Sequence, residues 1–281
     1  MKIVTFIYQR KQLVGIITDR YLYPLPFKSM NHLIDSNTSF ETIAAMAGNP
    51  IAIQDVEVIS PIPEPKQDII CLGINFMAHA AESAAYKKEA FGGDRPYAVY
   101  FSKRVNEAVP HNGTISRYST LVDSLDYECE LGVIIGRTCK NVSREEAFKY
   151  IFGYTIINDI SARNLQTKHK QWYFGKSLDG FTPMGPVIVT EDEFERPPVL
   201  QLKSYVNGEL RQDSTTDLFI FDIPHVISEL SAGMTLKPGT IISMGTPSGV
   251  GMGFRPPKFL KHGDVVECFI ENIGVLRTYI D

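Results

Sequence analysis

Three acidic residues alternate along one short stretch of the chain, Asp126, Glu128 and Glu130, and a β-branched apolar run follows them and ends at Gly136. Such a run predicts a buried strand. Successive side chains of a strand point to opposite faces, so the three acids share one face. Acids held side by side repel each other unless a cation lies between them, and carboxylate oxygens suit Mg²⁺, Mn²⁺ or Ca²⁺ better than Zn²⁺. The stretch therefore predicts either a hard divalent metal site or a solvated acidic strand end.

A second strand-like run extends from Gly153 to Asn158 and also ends in an acid, Asp159. In isolation, Asn158 and Asp159 fit a turn or a helix N-cap. Two strands that each deliver carboxylates to their ends strengthen the metal interpretation without excluding these alternatives.

An alanine-rich segment, Phe76 to Tyr86, predicts a helix that carries His79 and Glu82 three residues apart. Residues at this spacing lie on one helical face and can interact. On their own, the two fit a surface histidine with an ordinary helical neighbour. Arg163 and Gln166 have the same spacing after Asp159, and in isolation they also fit surface residues.

Several blocks, in this order along the chain, resemble the fumarylacetoacetate hydrolase family. They are Gly73-Ile-Asn-Phe-Met-Ala-His79 with Glu82, Leu125-Asp-Tyr-Glu-Cys-Glu-Leu131, Asn158-Asp-Ile-Ser-Ala-Arg163, Gly175-Lys-Ser-Leu-Asp-Gly-Phe-Thr-Pro-Met-Gly-Pro186, Val206-Asn-Gly-Glu-Leu210, Gly245-Thr-Pro-Ser-Gly-Val-Gly251, and Gly263-Asp264 with Asn272-Ile-Gly274. The similarity runs from about Pro61 to the last residue. Two departures concern the helix with His79: Phe76 replaces the tyrosine of many members, and Met77-Ala78 replaces a more polar pair.

The resemblance implies a role for each matching residue. The implied metal ligands are Glu128, Glu130 and Asp159, holding Mg²⁺ or Mn²⁺ with Ca²⁺ as a substitute. The implied catalytic residues are His79 and Glu82, carried on a lid that orders over the substrate, and Lys176. The implied substrate-binding residues are Arg163, Gln166 and Thr246. Lys103, in the family's Phe-x-Lys strand, is either a structural or substrate-facing residue or an exposed lysine at a strand end.

The implied substrate is a small 2-oxo acid that chelates the metal through its carboxylate and its 2-oxo oxygen. The metal would stabilise the enolate that forms when a bond β to the oxo group breaks. We place first the metal-dependent hydrolysis of the C–C bond of acylpyruvate-type 2,4-dioxo acids, because the water-activating pair His79 and Glu82 is intact. The alternatives are an oxaloacetate decarboxylase or an isomerase of 2-hydroxy-dienedioates. A binding protein with a degenerate site is a third class, disfavoured because every matched ligand is present.

Composition limits the other classes of partner. The 281 residues contain 28 Lys and Arg against 32 Asp and Glu, a net charge of −4, and no basic tract. We therefore expect neither a nucleic-acid nor a membrane partner. No apolar run could span a bilayer and the first residues lack the order of a signal peptide, which predicts a cytoplasmic protein. The four cysteines lack CxxC spacing and are expected to be reduced core thiols. The family suggests a homodimer.

Strands dominate the predicted elements, with few helices and no βαβ rhythm, which argues against a doubly wound sheet and for an α+β class. The resemblance implies a mixed β-sandwich roll with a small N-terminal β-rich domain. The proline-rich connector Pro61 to Pro65 places the boundary between residues 1–60 and a catalytic domain of 61–281. Asn207-Gly208 predicts a β-hairpin turn. Trp172, the only tryptophan, is expected to pack at the edge of the site.

Overall fold

The computed structural model describes residues 1–93 and 95–281 and shows a strand-dominated α+β fold, as predicted. Residues 1–60 form β1 (Lys2–Tyr8), β2 (Lys11–Ile17), β3 (Tyr21–Leu25), α1 (Met30–Asp35), α2 (Phe40–Ala45), β4 (Ile51–Ala52) and β5 (Glu57–Ile59). The next elements are β6 (Ile69–Leu72), α3 (Met77–Lys87), β7 (Tyr100–Lys103), β8 (Gly113–Ile115), β9 (Leu125–Asp126), β10 (Cys129–Ile135), β11 (Ile151–Asn158), β12 (Ser161–Ala162), α4 (Arg163–His169) and α5 (Tyr173–Lys176). The last are β13 (Met184–Thr190), β14 (Gln201–Val206), β15 (Glu209–Thr215), α6 (Ile223–Gly233), β16 (Ile241–Ser243), β17 (Val265–Ile270) and β18 (Gly274–Ile280).

Most of these strands join one mixed sheet of 11 strands, in the order β4, β3, β2, β1, β13, β11, β10, β16, β6, β7, with β5 also paired to β1. A second sheet has five strands in the order β15, β14, β17, β18, β8. Strands β10, β11 and β13 of the large sheet contact β14, β17 and β18 of the second. Every residue of β10 and β11 is buried, so these two strands lie in the centre of the molecule.

Antiparallel pairing of β10 with β11 positions the acidic residues. Cys129, the first residue of β10, pairs with Asn158, the last residue of β11. The start of one strand therefore lies beside the end of the other, and the acids that flank these positions converge. On the opposite face of the strand that carries Glu128 and Glu130, Tyr127 and Cys129 pack into the hydrophobic core without any exposed surface. This is the alternation of faces that the sequence predicts.

The N-terminal strands extend the same sheet that carries the acids. Lys2 and Ile3 of β1 pair antiparallel with Val189 and Ile188 of β13, and β13 in turn pairs with β11. A division near residue 61 remains a prediction, but strands from both sides of it share one hydrogen-bonded sheet.

Two local predictions are also confirmed. Asn207 and Gly208, with φ of 52° and 79°, form the turn between β14 and β15, because this hairpin turn needs positive φ at both positions. All four cysteines are buried free thiols.

Within the described parts of the chain, no helix combines the length and the apolar character needed to cross a bilayer.

Candidate active site

Three buried carboxylates converge where β10 begins and β11 ends. One ligand oxygen each from Glu128, Glu130 and Asp159 lies within 4.8 Å of the other two. The backbone N–H of Asp159 donates to the carbonyl oxygen of Glu128 at 2.8 Å, which fixes the two chain segments side by side. Burial of three negative charges costs free energy unless cations compensate them. The structure thus brings together the three acids that the sequence assigns to a metal.

Lys176, the last residue of α5, is a buried cation that bridges two of these acids. Its Nζ lies 2.6 Å from Oε2 of Glu128 and 2.6 Å from Oδ2 of Asp159. Burial disfavours the charged ammonium, but the carboxylates of Asp159 and Glu128 outweigh burial and raise the pKa of Lys176 above its usual range. Lys176 therefore stays protonated, which suits it to stabilise negative charge and not to accept a proton.

Lys103, the last residue of β7, is a second buried cation on the other side of Asp159. Its Nζ lies 2.7 Å from Oδ1 of Asp159 and donates to the backbone carbonyl oxygens of Ile160 and Lys176. The side chain has no exposed surface. The interpretation of Lys103 as an exposed strand-end lysine is therefore wrong, and its contacts are those of a structural residue that holds Asp159 in place.

Glu130 differs from the other two acids because it forms no ion pair with any residue that the structure describes. Its Oε2 accepts hydrogen bonds from Ser243 Oγ at 2.5 Å and from the backbone N–H of Gly245 at 3.0 Å. Burial, followed by the carboxylates of Asp159 and Glu128, raises the pKa of Glu130 well above its usual range. A divalent cation among the three carboxylates would remove this repulsion, and an all-oxygen donor set suits a hard cation. The triad therefore fits a divalent metal.

Arg163, the first residue of α4, connects the acids to the helix that follows them. Its Nη2 lies 2.7 Å from Oε1 of Glu128, its Nε 2.9 Å from Oδ2 of Asp126, and its Nη1 donates to Oε1 of Gln166 at 3.1 Å. Burial acts to raise the pKa of Glu128, but Lys176 and Arg163 outweigh it and hold this pKa well below its usual range. Glu128 is therefore an ionised carboxylate with a cation on each oxygen.

Asp126 shares the strand face of the other acids but has a different function. Its Oδ1 accepts from the backbone N–H of Gly251 at 2.6 Å, and its Oδ2 accepts from that of Met252 at 3.0 Å as well as from Arg163. Both oxygens are thus occupied by donors of the protein. Asp126 holds the turn of residues 251–253 against Arg163.

Residues 249–253, which include this turn, also contact the histidine–glutamate pair of helix α3. Nδ1 of His79 lies 3.1 Å from Oε2 of Glu82, and Oε1 of Glu82 accepts from the backbone N–H of Gly249 at 3.0 Å. Glu82 also packs directly on Gly253, where a Cβ atom would lie 1.6 Å from Oε1. His79 is only 3% exposed, so it is a buried histidine and not the surface residue that the sequence left open.

A cavity of about 630 Å³ lies between helix α3 and the acids. Five of the residues assigned from the sequence line it, Gln166 and four that are buried. The four buried residues are His79, Glu128, Arg163 and Lys176. Trp172 also lines the cavity, packed against Gly73 and edge-on to Phe101 at 5.3 Å between ring centroids, which agrees with its predicted place at the edge of the site.

Thr246 is not among the residues that line this cavity. Its hydroxyl donates to the carbonyl oxygen of Cys129 at 3.0 Å and accepts from Nε2 of Gln212 at 2.7 Å. Both contacts are buried and tie the loop after β16 to the start of β10. A substrate contact from Thr246 therefore remains a prediction, and its present contacts position the loop.

Several residues of the site escaped the sequence analysis. The anchoring function of Asp126 and the burial of Lys103 depend on chain segments 125 and 56 positions away, which no local pattern reveals. The rim of the cavity includes Lys87, Lys88 and Lys170, which the sequence shows only as charged residues at helix ends.

Comparison with known proteins agrees with this geometry. Residues 68–281 match the family described as fumarylacetoacetate (FAA) hydrolase C-terminal. The protein named oxaloacetate tautomerase YisK of Bacillus subtilis (strain 168) is 44% identical over 229 residues, which are 82% of this chain and 74% of that protein.

Two solved structures are similar over the whole chain. Fumarylacetoacetate hydrolase (EaFAH) from psychrophilic Exiguobacterium antarcticum has a TM-score of 0.87 at 36% identity, covering 100% of this chain and 99% of that one. The 5-carboxymethyl-2-hydroxymuconate delta-isomerase from Mycobacterium smegmatis has a TM-score of 0.79 at 29% identity with the same coverage. This chain is therefore an enzyme of the fumarylacetoacetate hydrolase family.

Proposed function

We propose that the protein is a divalent-metal-dependent enzyme that converts small 2-oxo acids through an enolate. The observation that carries this proposal is the buried triad of Glu128, Glu130 and Asp159, which opens on the same cavity as His79 through Glu128. A metal-oxygen site and a histidine facing one cavity are the two parts that proton removal next to a carbonyl group requires. The assignment of these residues remains a proposal.

The three carboxylates would hold Mg²⁺ or Mn²⁺, with Ca²⁺ as a substitute. When bound, such an ion polarises the 2-oxo group and stabilises negative charge on its oxygen. Lys176 adds a fixed positive charge beside two of the ligands. Arg163, held between Asp126 and Glu128, orients the substrate carboxylate together with Gln166. We assign the loop with Thr246 to the same task through its anchorage on Cys129.

His79 is the proposed proton carrier. Nδ1 faces Glu82, so the Nε2 atom is left for the cavity, and it has no hydrogen bond to any residue that the structure describes. The carboxylate of Glu82 fixes the ring orientation and stabilises the imidazolium once a proton has been taken up. His79 therefore acts as the base, and Glu82 keeps it in the correct tautomer.

Keto-enol interconversion of oxaloacetate is the reaction that this arrangement supports best. His79 would remove a proton from C3 of the keto form and release it to water, while the 2-oxo oxygen takes up a proton from water. The enol results, and the only σ bond to carbon that breaks is C–H. The named activity of the 44% identical Bacillus protein supports this order of candidates. On this support we rank proton transfer first and the hydrolysis that the sequence analysis favoured second.

Hydrolysis of acylpyruvates is the second candidate, and the buried His79–Glu82 pair is the observation that favours it. Here His79 would accept a proton from water, the hydroxide would add to the distal carbonyl, and cleavage of the C–C bond would give a carboxylic acid and pyruvate. Decarboxylation of oxaloacetate needs no base and would leave His79 without a function, and isomerisation of 2-hydroxy-dienedioates would use it as a proton carrier.

The test compares three progress curves for the purified full chain with Mn²⁺. Each is corrected for the reaction that Mn²⁺ causes in the absence of protein. They follow loss of the oxaloacetate enol, release of CO₂ from oxaloacetate, and loss of acetylpyruvate. The proposed reaction is supported if loss of the enol is the fastest of the three and is abolished both by a chelator and by His79→Ala. Faster loss of acetylpyruvate would make the protein a hydrolase, and CO₂ release that survives His79→Ala would make it a decarboxylase.

A further inference from the structure

Strand β15 lies at the edge of the second sheet and buries one of its seven residues, Gln212. A strand that packs on a core normally turns apolar side chains inward, and glutamine is mostly an exposed residue. Gln212 nevertheless has no exposed surface. Burial of an amide is unfavourable unless its polar atoms are hydrogen-bonded, so the partners of Gln212 must account for its presence at this position.

The amide of Gln212 uses both of its donors and both of its acceptor positions. Its Oε1 accepts from the backbone N–H of Cys129 at 3.1 Å and from Oγ of Ser204 at 2.8 Å. Its Nε2 donates to Oγ1 of Thr246 at 2.7 Å and to the carbonyl oxygen of Pro247 at 2.8 Å. A backbone N–H can only donate and a carbonyl oxygen can only accept, so these partners fix the orientation of the amide.

Two of these contacts take the place of a neighbouring strand. The pairing of β10 with β16 continues as far as Leu131, whose carbonyl oxygen accepts from the backbone N–H of Met244. The backbone groups of Cys129, two residues earlier, point to the same side of the strand. Gln212 binds the N–H of Cys129, and the hydroxyl of Thr246 binds its carbonyl oxygen. Because Gln212 also binds Thr246, the three residues close a ring of hydrogen bonds.

This ring is joined to the acids of the triad by two routes. Cys129 is the residue between Glu128 and Glu130, so a shift of its backbone changes the separation of their carboxylates. Gly245, directly before Thr246, donates its backbone N–H to Oε2 of Glu130 at 3.0 Å. Gln212 therefore restrains the acids through the strand that carries them and through the loop that binds one of them.

We propose that Gln212 is a positioning residue, which sets the spacing of the Glu128 and Glu130 carboxylates by holding Cys129 and the loop of Thr246 together. This inference rests on the proposed function, because it takes the triad to be a cation site. Mg²⁺ demands near-ideal octahedral geometry at about 2.0–2.1 Å, whereas Ca²⁺ accepts flexible oxygen ligands at about 2.3–2.6 Å. Release of the triad from Gln212 therefore weakens the binding of Mg²⁺ more than that of Ca²⁺.

The test measures the affinities of the full chain for Mg²⁺ and for Ca²⁺ by calorimetry, without substrate. Gln212→Met removes the hydrogen bonds of the amide but keeps the length of the side chain. Ser204→Ala is the matched control, because it removes one hydrogen bond to the same amide and leaves those to Cys129 and Thr246 in place. If circular dichroism shows that Gln212→Met does not fold, Thr246→Val opens the ring at its other side, with Thr246→Ser as its control.

We expect Gln212→Met to lose about tenfold of its affinity for Mg²⁺, a typical loss when a residue that orients metal ligands is removed, and less than about threefold for Ca²⁺. Ser204→Ala and Thr246→Ser should keep the wild-type ratio of the two affinities. An unchanged ratio in folded Gln212→Met, or in Thr246→Val where Gln212→Met does not fold, would overturn the positioning role alone, as would an equal shift in Ser204→Ala. Binding of neither ion by the folded wild type would overturn the proposed metal site, and this inference with it.

Discussion

Nζ of Lys103 lies 2.7 Å from Oδ1 of Asp159, and neither side chain has any exposed surface. Asp159 is also the acid that Lys176 contacts through its other oxygen. A single carboxylate thus sits between two buried ammonium groups. This arrangement restricts the orientation of the Asp159 carboxylate and the distance that it can move.

Replacement of Lys103 by methionine should destabilise the protein. The change keeps the apolar length of the side chain but leaves Asp159 with one fewer cation, and breaking a buried ion pair typically costs about 3–5 kcal/mol. Urea denaturation monitored by circular dichroism measures the free energy of unfolding. Lys28→Met, at an exposed position, is the control. A loss below about 1 kcal/mol for Lys103→Met would contradict the structural role.

Glu128→Gln should abolish tight metal binding and activity together. The substitution removes one of three ligand charges while keeping the side chain's shape, so we expect the circular dichroism spectrum to be unchanged. Calorimetric titration with Mn²⁺ provides the measurement, and Glu146→Gln, an exposed acid, provides the control. Unchanged Mn²⁺ affinity in Glu128→Gln would contradict the assignment of Glu128 as a metal ligand.

His79→Ala should separate binding from chemistry. Metal affinity should stay within about twofold, while turnover falls roughly 10²–10⁴-fold, the usual range for loss of a general base. Turnover should fall less in Glu82→Gln, because the amide can still hold the ring of His79 although it no longer stabilises the imidazolium. Steady-state rates at saturating Mn²⁺ are compared. An unaffected rate in His79→Ala would remove this residue from the mechanism.

Asp126→Asn should lower activity without lowering metal affinity. Asp126 pairs with Arg163 and anchors the turn of residues 251–253, so its charge positions the arginine that we propose to bind the substrate. Loss of such an outer contact typically costs about 10–100-fold in activity. The rise in KM should exceed the fall in kcat. Weakened Mn²⁺ binding of similar size would show instead that Asp126 acts as a ligand.

Gly73→Ala should disturb the cavity wall in a way that fluorescence can detect. A Cβ atom at residue 73 would lie 1.9 Å from a ring carbon of Trp172, so the indole must move. Trp172 is the only tryptophan, and its emission spectrum therefore reports this movement directly. Gly233→Ala, where a Cβ atom would meet open space, is the control. An unshifted spectrum in Gly73→Ala would mean that the ring does not pack as described.

The convergence of the carboxylates could be expected from the two strand patterns, but the family resemblance, and not the alternation, selected Glu128, Glu130 and Asp159 as the ligand set. Alternation along one strand puts Glu128 and Glu130 on one face, and a second strand that ends at Asp159 needs only antiparallel pairing to join them. The same alternation could not show that Asp126, unlike Glu128 and Glu130, lies outside the triad. Its partners, the backbone N–H groups of Gly251 and Met252, belong to a loop that comes close only after folding.

The positions of the buried lysines were harder to predict, again because their partners are distant in sequence. A lysine at a strand end, such as Lys103, has no local signal that distinguishes burial from exposure. Its partners lie on the segment that follows β11 and on α5, and only the order of strands in the large sheet brings them together. The resemblance to a family supplied the expected role of Lys176, but it did not predict that the ends of two helices place lysines at the cavity.

Strand β1 covers the edge of β13 in the large sheet. This pairing limits how far the protein can be truncated from its N-terminus. A fragment of residues 61–281 would keep the triad and the whole family-matched region, residues 68–281, yet it would leave β13 with a row of unpaired N–H and C=O groups. Bare strand edges recruit other chains and lead to aggregation. We therefore expect a fragment without residues 1–60 to aggregate, so that a minimal enzyme should retain the strand that covers this edge.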